Sequence, residues 1–255
     1  MKFALINSNK VEATKGSKGI CPSCGAELIA KCGELKIHHW AHKGIRNCDP
    51  WWENETEWHR LWKGYFPFEW QEVIHTDKNG EKHIADVKTE EKWVLEFQHS
   101  PIKSEERHSR NIFYSKIVWI VDGLRRERDR SQFQTILNES ARVKWGHLII
   151  HRVSFPKESR LLNEWLSSGV PIFFDFQESK ELKHSRLWFL IPKISNDIAY
   201  LMPFSGNNFI ELHNNKGFDE MAYGIIPKLR DFLLRYEQSK NQISFYHLRR
   251  YRRRF

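Results

Sequence analysis

Three side chains near the middle of the chain, Asp86, Glu96 and Gln98, have the types and the spacing to bind a hard divalent cation. Glu96 and Gln98 are two residues apart in a strand-like segment, so their side chains point the same way. If a short turn near Glu91 joins this segment to the preceding strand, Asp86 lies directly opposite Glu96. Two facing carboxylates repel each other unless a proton or a cation lies between them. Oxygen ligands favour Mg²⁺ or Mn²⁺ at Asp86 and Glu96, and such an ion polarises a phosphodiester and lowers the pKa of a bound water.

A polar stripe on a predicted helix supplies further candidates. Apolar residues recur with the period of an amphipathic helix at Trp58, Leu61, Trp62 and Tyr65. Glu55, His59 and Lys63 lie four residues apart beside this apolar face. The stripe either reaches a cleft at the edge of the helix or forms a solvated, salt-bridging face. In the first case His59 would shuttle a proton or contact a phosphate, and in the second it is a surface histidine paired with Glu55.

A segment rich in cysteine and histidine, residues 20–50, predicts a zinc site. Its spacing, C-x2-C-x14-H-x2-H, supplies four ligands for a closed tetrahedral site, which we predict to be Cys21, Cys24, His39 and His42. Three more residues are close enough in sequence to replace one of the four, namely Cys32, His38 and Cys48. Four protein ligands leave no open position for water, so we expect the zinc to stabilise a small segment and not to catalyse.

The predicted helices and strands that must position these groups follow one another in a definite order. Strand-like segments occur at residues 69–75, 82–88, 93–98 and 117–121. The helix with the polar stripe precedes them, Asn79-Gly80 indicates a hairpin between the first two strands, and a helix at 104–116 separates the last two. The expected order is αβββαβ, around a mixed sheet of the α/β (α+β) class. With Asp on the second strand and Glu-x-Gln on the third, this order resembles the PD-(D/E)xK nuclease superfamily, which implies a restriction-endonuclease-like core.

A set of short motifs narrows the resemblance. In chain order they are the CPxC knuckle at Cys21, His39-Trp40-Ala41-His42, Glu55-Thr56-x-x-His59-x-x-x-Lys63, Ala85-Asp86-Val87, Glu96-Phe97-Gln98-x-Ser100-Pro101-Ile102, Arg110-x-x-x-Tyr114 and Trp119-Ile120-Val121-Asp122. Their order and spacing are similar to the competence protein CoiA-like nuclease family, over about residues 20–123. The resemblance implies a bacterial nuclease that acts on double- or single-stranded DNA, with Asp86 and Glu96 as metal ligands and Glu55 as a further acidic member of the site.

Gln98 stands where the wider superfamily usually has a lysine, although Glu-x-Gln is itself typical of the CoiA-like family. Lysine orients the attacking water and neutralises charge, whereas glutamine orients without supplying charge. Lys63 or Lys88 would supply the positive charge instead. The family implies a role in DNA uptake or recombination, and a role in antiviral defence under the control of a protein partner is a further hypothesis.

The composition favours a nucleic-acid partner. The 255 residues carry a net charge of +9, which attracts phosphate backbones. All four cysteines fall between Cys21 and Cys48, a clustering that suits a metal site in a reducing compartment better than disulfides. With no apolar targeting segment at its start and no run of about 18 apolar residues, the chain is expected to be cytoplasmic and to have no membrane partner. The alternative function is a non-catalytic, zinc-containing nucleic-acid-binding module with vestigial carboxylates.

The second half of the chain is less informative about chemistry. Predicted strands lie at 146–152, 170–176, 186–192, 198–203 and 208–213, and predicted helices at 159–166 and 218–236. They indicate either an extension of the central sheet or a small α+β lobe packed on it. Asp175 is interpreted as a strand-end residue and not as a metal ligand.

The end of the chain, residues 247–255, interleaves arginines with aromatic residues. That composition neutralises phosphates and stacks on bases, or else solubilises the chain end. The sequence therefore predicts three units, a zinc-binding module over 1–50, a nuclease core over 51–123 and a C-terminal α+β extension with a basic tail over 124–255.

Overall fold

The structure is a computed structural model that describes residues 1–34, 37–44, 48–51, 53, 55–195 and 197–252, the last twelve of these by their backbone alone. The predicted basic tail thus lies outside the residues whose side chains are described. Within the described chain, two sheets are present, one of five strands and one of nine. No described helix combines the length and the apolarity that crossing a bilayer requires.

The first sheet belongs to the N-terminal module. Its strands are β1 (Phe3–Ile6), β2 (Asn9–Glu12), β3 (Lys18–Ile20), β4 (Glu27–Lys31) and β5 (His39–His42). They pair antiparallel in the order β2-β1-β3-β4-β5. A two-residue turn with positive φ at Asn7 and Ser8 closes the first hairpin. Trp40 is buried at the centre of this module and donates from its indole nitrogen to the carbonyl of Val11 at 3.0 Å.

The central elements follow in the predicted order. They are α1 (Glu57–Lys63), β6 (Gln71–Thr76), β7 (Lys82–Lys88), β8 (Val94–Gln98), α2 (Ser104–Tyr114) and β9 (Ile117–Asp122). β6, β7 and β8 pair antiparallel, whereas β8 and β9 are parallel and are joined through α2. Thr56 caps α1 by accepting from the backbone N–H of His59, and the His59 side chain accepts from the Thr56 N–H in return. This reciprocal cap fixes the start of α1 beside the candidate site.

The C-terminal half extends the same sheet, the first of the two arrangements that the sequence predicts. Its elements are α3 (Asp129–Asn138), β10 (Ala141–Trp145), β11 (Leu148–Val153), α4 (Arg160–Trp165), β12 (Ile172–Asp175), β13 (Arg186–Leu190), β14 (Ala199–Ser205), α5 (Gly206–Asn214), α6 (Phe218–Glu220) and α7 (Ile226–Arg252). The nine strands lie in the order β10-β11-β14-β13-β12-β9-β8-β7-β6. β12 is parallel to β9, so three neighbouring strands, β8, β9 and β12, run in one direction.

One predicted strand is wrong. Residues 208–213 lie in the helix α5, because Ser205 caps it by accepting from the backbone N–H of Asn208. Phe209, Ile210 and His213 are the buried residues of this helix apart from its first glycine, a spacing that fits a helical face better than a strand. Neither α3 nor β10 was predicted from the sequence.

Hydrophobic clusters cover both faces of the nine-stranded sheet. Leu95 and Phe97 of β8 point into one cluster, together with Trp62 from α1, as the alternation of side chains predicts. Trp119 of β9 belongs to the other cluster. It is paired with Glu96 in the parallel register, so Glu96 points towards the α2 side of the sheet. The fully buried strand β8 thus carries the candidate catalytic carboxylate on one face and core side chains on the other.

Candidate functional site

Three cysteines and one histidine of the N-terminal module come together. The ligand atoms of Cys21, Cys24, His42 and Cys48 all lie within 4.8 Å of one another. The two Sγ atoms of Cys21 and Cys48 are 4.0 Å apart, and Nε2 of His42 lies 3.4 Å from the Sγ of both Cys24 and Cys48. Ligands bound about 2.0–2.3 Å from a tetrahedral ion are roughly 3.3–3.8 Å apart. The donor set and its spacing therefore fit a zinc ion with four protein ligands.

The prediction that His39 is a zinc ligand is wrong, and Cys48, which is close enough in sequence to replace it, takes its place. His39 and His42 belong to the strand β5, where residues three apart point to opposite faces. Nδ1 of His39 lies 2.9 Å from the carbonyl oxygen of Ile37 instead. Cys32 and His38, which the sequence spacing also allows as ligands, are outside the group that forms among the described residues.

The second candidate site lies where β7 and β8 part. Val87 pairs with Leu95, the register that the sequence predicts for Asp86 opposite Glu96. The regular ladder ends there. The backbone N–H of Asp86 then donates to Glu96 Oε1 at 3.4 Å, and the N–H of Phe97 donates to Asp86 Oδ2 at 3.0 Å. Each carboxylate replaces a backbone acceptor of the neighbouring strand, so the two side chains are held close together.

Burial beside a like charge perturbs both carboxyls. Desolvation, together with the charge of Asp86, raises the pKa of Glu96 to about 8. Desolvation also raises the pKa of Asp86. Arg110 of α2 partly offsets the effect by donating to Glu96 Oε2 at 3.0 Å. A carboxyl with a pKa near 8 is largely protonated at neutral pH, and a cation bound at the pair would displace that proton.

Lys63 supplies a buried positive charge next to Asp86. Its ammonium lies 2.5 Å from Glu55 Oε1, 3.0 Å from Glu72 Oε1 and 3.7 Å from Asp86 Oδ1. Desolvation by burial would lower the pKa of Lys63, but the three carboxylates outweigh it and raise the pKa well above its usual range. Lys88, the other lysine considered, contacts a histidine of β6 at 2.9 Å. Of the two lysines, Lys63 is therefore the one that lies beside the carboxylate pair.

Glu72 connects this charge cluster to the N-terminal module. Its carboxylate accepts hydrogen bonds from the backbone N–H of Lys2 at 2.8 Å and of Phe3 at 3.1 Å, besides its ion pair with Lys63. Burial opposes ionisation of this carboxyl, but Lys63 and these donors lower the pKa of Glu72 to about 2. Glu72 is thus ionised at neutral pH and fixes strand β1 of the zinc module against the core.

Glu53, which was not predicted from the sequence, is the best-connected carboxylate of the site. Its Oε2 accepts from Gln98 Nε2 at 3.0 Å and from the N–H of Ser100 at 3.2 Å, and its Oε1 accepts from the N–H of His99 at 3.3 Å. His59 Nε2 lies 2.9 Å from the same Oε1. Desolvation raises the pKa of Glu53, but the histidine and these donors outweigh it and lower the pKa. Gln98 therefore holds Glu53 in place through its side-chain amide.

His59 is buried and engaged at both ring nitrogens. The backbone N–H of Thr56 donates to Nδ1 at 3.1 Å, so the ring proton is on Nε2, which donates to Glu53. In the alternative of a surface histidine, His59 was expected to pair with Glu55; in the structure it is buried and its partner is Glu53. Glu55 is paired with Lys63 and with Arg60.

The charged side chains of this second candidate site line one cavity of about 70 Å³. Carboxylates that face it include Asp49, Glu53, Glu55, Glu72, Asp86 and Glu96. Its positively charged side chains are those of Lys63 and Arg110, so acidic side chains outnumber basic ones. A water molecule needs about 10–15 Å³, so the cavity has room for a small ion with several waters. The structure thus brings together Asp86, Glu96, Glu55, His59 and Lys63 of the predicted residues, with Gln98 directly behind Glu53.

The residues present fit a magnesium or manganese ion in one respect and not in another. Two carboxylates with raised pKa values beside a polar cavity match the oxygen ligands that these ions prefer, and Mg²⁺ in proteins often keeps its remaining positions for water and substrate. However, among the described residues only the Cys21, Cys24, His42 and Cys48 group brings three or more metal-ligating side chains together. A cation at Asp86 and Glu96 would therefore rely on water and substrate oxygens.

Comparison with known proteins adds one finding. No curated protein and no solved structure matches the chain. Residues 5–50 match the family model described as the competence protein CoiA, N-terminal domain. The matched segment contains most of the five-stranded sheet and all four zinc-type ligands. Residues 5–50 are thus similar to CoiA N-terminal domains, which supports the CoiA-like resemblance over the N-terminal module.

Proposed function

We propose that this chain is a metal-dependent nuclease that hydrolyses phosphodiester bonds in DNA. The observation that carries the proposal is the pairing of Asp86 and Glu96 at the end of the β7–β8 ladder, facing a cavity lined by charged groups. Two facing carboxylates, of which Glu96 is buried and Asp86 partly buried, repel each other unless a cation lies nearby. A strongly perturbed carboxyl in a cavity is typical of a functional site. The αβββαβ order of the surrounding elements supports a core of the PD-(D/E)xK type.

A Mg²⁺ or Mn²⁺ ion at Asp86 and Glu96 would supply Lewis-acid chemistry, polarising the scissile phosphate. The chain's own residues then have distinct tasks. Lys63 holds Asp86 and Glu55 in place through its buried ammonium. Arg110 orients Glu96 from α2. Gln98 holds Glu53 at the side of the cavity, and Glu53 in turn binds a ring nitrogen of His59.

DNA is the substrate that the charge of the chain favours. A net charge of +9 attracts the phosphate backbone. The carboxylates of the cavity would repel that backbone, but a divalent cation bound at Asp86 and Glu96 would neutralise part of their charge. The zinc-type cluster has four protein ligands and no open position, so we assign it a structural role. The match of residues 5–50 to a competence-protein domain supports a role in DNA uptake or recombination, in the cytoplasm. Control by a partner in antiviral defence stays a further hypothesis.

Cleavage of DNA tests the proposal. Plasmid and single-stranded DNA are incubated with zinc-loaded protein and Mg²⁺ or Mn²⁺, with Asp86→Ala and Glu96→Ala as site variants and the exposed Glu105→Ala as the matched control. We expect cleavage by the wild type and by Glu105→Ala, and a loss of roughly a hundredfold or more in both site variants. If wild type and site variants leave DNA equally intact but still retard it on a gel, the chain is a binding module and the nuclease proposal is wrong.

A further inference from the structure

The last residue of helix α2 brings a buried phenol to the candidate site. Tyr114 is 2% exposed and lines the same cavity as Asp86 and Glu96. It lies four residues after Arg110, so the two side chains share one face of α2. From that face Arg110 donates to Glu96 Oε2 at 3.0 Å. One helical turn further along, the same face of α2 therefore presents Tyr114 to the cavity.

Packing fixes the ring of Tyr114 but gives its hydroxyl no partner. Three rings meet it edge to face, with centroids 6.1 Å away for Trp51, 5.5 Å for His75 and 5.0 Å for Phe113. No described residue forms a hydrogen bond with the hydroxyl. A buried phenol usually has such a partner, as Tyr200 has in Glu237. Within the described chain, Tyr114 thus has an unused donor at the candidate site.

The carboxylates of the cavity act on this hydroxyl. Desolvation, together with the charges of Glu96, Asp49 and Asp86, raises the pKa of Tyr114 well above its usual range, and the charge of Arg110 offsets only part of the effect. The phenol therefore keeps its proton throughout the neutral pH range. Its chemistry at the site is that of a neutral hydrogen-bond donor, and not that of a general acid or base.

The carboxylate pair does not need this donor, because each of its four oxygens already has one. Glu96 Oε1 accepts from the N–H of Asp86, and Oε2 accepts from Arg110. Asp86 Oδ2 accepts from the N–H of Phe97, and Oδ1 lies 3.7 Å from the ammonium of Lys63. The hydroxyl is thus left for an acceptor that a ligand brings into the cavity. A phosphodiester at the carboxylate pair would bring two such acceptors, its non-bridging oxygens.

We propose that Tyr114 is a catalytic residue that donates a hydrogen bond to one non-bridging oxygen of the scissile phosphate, an inference that rests on the nuclease function proposed above. The oxygen of the attacking water bonds to phosphorus while the bond from phosphorus to the leaving oxygen breaks. The fixed donor stabilises the negative charge on the non-bridging oxygen in the transition state. The water gives one proton to solvent and the leaving oxygen takes one from solvent, so the products are a phosphomonoester and an alcohol. Tyr114 keeps its own proton throughout.

Single-turnover cleavage of an oligonucleotide with a mapped cleavage position tests the inference. The zinc-loaded protein is assayed with saturating Mn²⁺, which tolerates a sulfur ligand better than Mg²⁺ does. Tyr114→Phe removes the hydroxyl and keeps the ring, and Tyr223→Phe, at a residue that is 62% exposed, is the matched control. We expect Tyr114→Phe to cleave roughly a hundredfold more slowly than wild type, with the same Kd for DNA and for Mn²⁺. Tyr223→Phe should cleave at the wild-type rate.

A phosphorothioate at the scissile position separates a contact with the phosphate from a structural effect. Sulfur accepts hydrogen bonds more weakly than oxygen, so the diastereomer with sulfur in front of Tyr114 should be cleaved slowly by the wild type. The same replacement should slow Tyr114→Phe about tenfold less, because this variant has already lost the hydrogen bond. The other diastereomer should slow both proteins by the same factor.

The outcomes separate this inference from the proposed function. Cleavage by folded Tyr114→Phe at the same rate as wild type would overturn the role of Tyr114 and leave the nuclease proposal intact. A slow Tyr114→Phe variant that binds Mn²⁺ more weakly, or that responds to both diastereomers as the wild type does, would also overturn it, because that pattern indicates a structural role. A wild-type protein that does not cleave DNA would overturn both. Thermal unfolding establishes that each variant is folded.

Discussion

Replacing Glu96 by glutamine should stabilise the protein at neutral pH and should remove the proposed nuclease activity. The folded-state pKa of Glu96 is about 8, above the ordinary value of 4.5, so the folded chain binds a proton that the unfolded chain has released between these pH values. Its contribution to stability is therefore fully present below pH 4.5 and is lost as the pH rises towards 8. The substitution Glu96→Gln imitates the protonated acid and has no proton to lose.

The magnitude follows from the size of the shift. Each pKa unit corresponds to about 1.4 kcal/mol, and the slope approaches this value per pH unit between the unfolded-state and folded-state pKa values of Glu96. Between about pH 5 and pH 7.5, the free energy of unfolding of the wild type should fall by about 3 kcal/mol relative to that of Glu96→Gln. For a chain of this size, 1 kcal/mol corresponds to roughly 2–4 °C in Tm, so the advantage of the variant should grow by about 6–12 °C.

Urea and thermal unfolding at these two pH values measure the difference, in zinc-containing buffer without Mg²⁺ or Mn²⁺. Adding Mn²⁺ at about 100 times its Kd should then stabilise the wild type by roughly 2.7 kcal/mol at the higher pH and leave Glu96→Gln unchanged. A stability difference between the two proteins that is the same at both pH values would refute the reasoning. It would mean that Glu96 is ionised in the folded state and that no repulsion needs a cation.

Three further outcomes are expected. Cys48→Ser should lower both the zinc content, measured by elemental analysis, and the nuclease rate, whereas the control Cys32→Ser should change neither. Gln98→Ala should slow single-turnover cleavage by about tenfold to a hundredfold because Glu53 loses a donor, and a rate equal to wild type would contradict this. The pKa of buried His213 is lowered by desolvation to about 3, below the ordinary 6.5, so the unfolded chain binds the extra proton and stability falls below pH 6.5. One pH unit below 6.5, this effect lowers the free energy of unfolding of the wild type by about 1.4 kcal/mol. Urea unfolding of both proteins should show the loss in the wild type and not in His213→Phe.

The central elements could be predicted because each has a strong local signal. Trp58 and Trp62 mark the buried face of α1, and the run from Ile117 to Val121 marks a central strand. The N-terminal sheet could not be predicted in the same way. Its strands are three to five residues long, too short for a reliable hydrophobic period, and they are stabilised by contacts across the module around Trp40. Helix α5 was predicted as a strand because a short apolar run does not distinguish the two.

The candidate site was predictable only where it follows from strand geometry. Alternation along β8 places Glu96 and Gln98 on one face, and the hairpin register places Asp86 opposite Glu96. The prediction of His39 was wrong because residues three apart share a face on a helix but not on the strand that forms here. Glu53 carried no signal, since it lies outside the helices and strands and its partners are 6 to 47 residues away.

The replacement of His39 by Cys48 in the candidate zinc site also changes the relation between the two sites. Cys48 precedes a stretch of chain in which Asp49 accepts from the N–H of Ile84 at 3.0 Å and the carbonyl of Trp51 accepts from Arg110 at 2.6 Å. Arg110 is the residue that binds Glu96. With a histidine ligand, the zinc would stabilise only its own module. With Cys48, a zinc ion bound by this group would fix the start of a segment that lines the cavity, so a metal with no open coordination position would still help to determine where the Glu96 carboxylate lies.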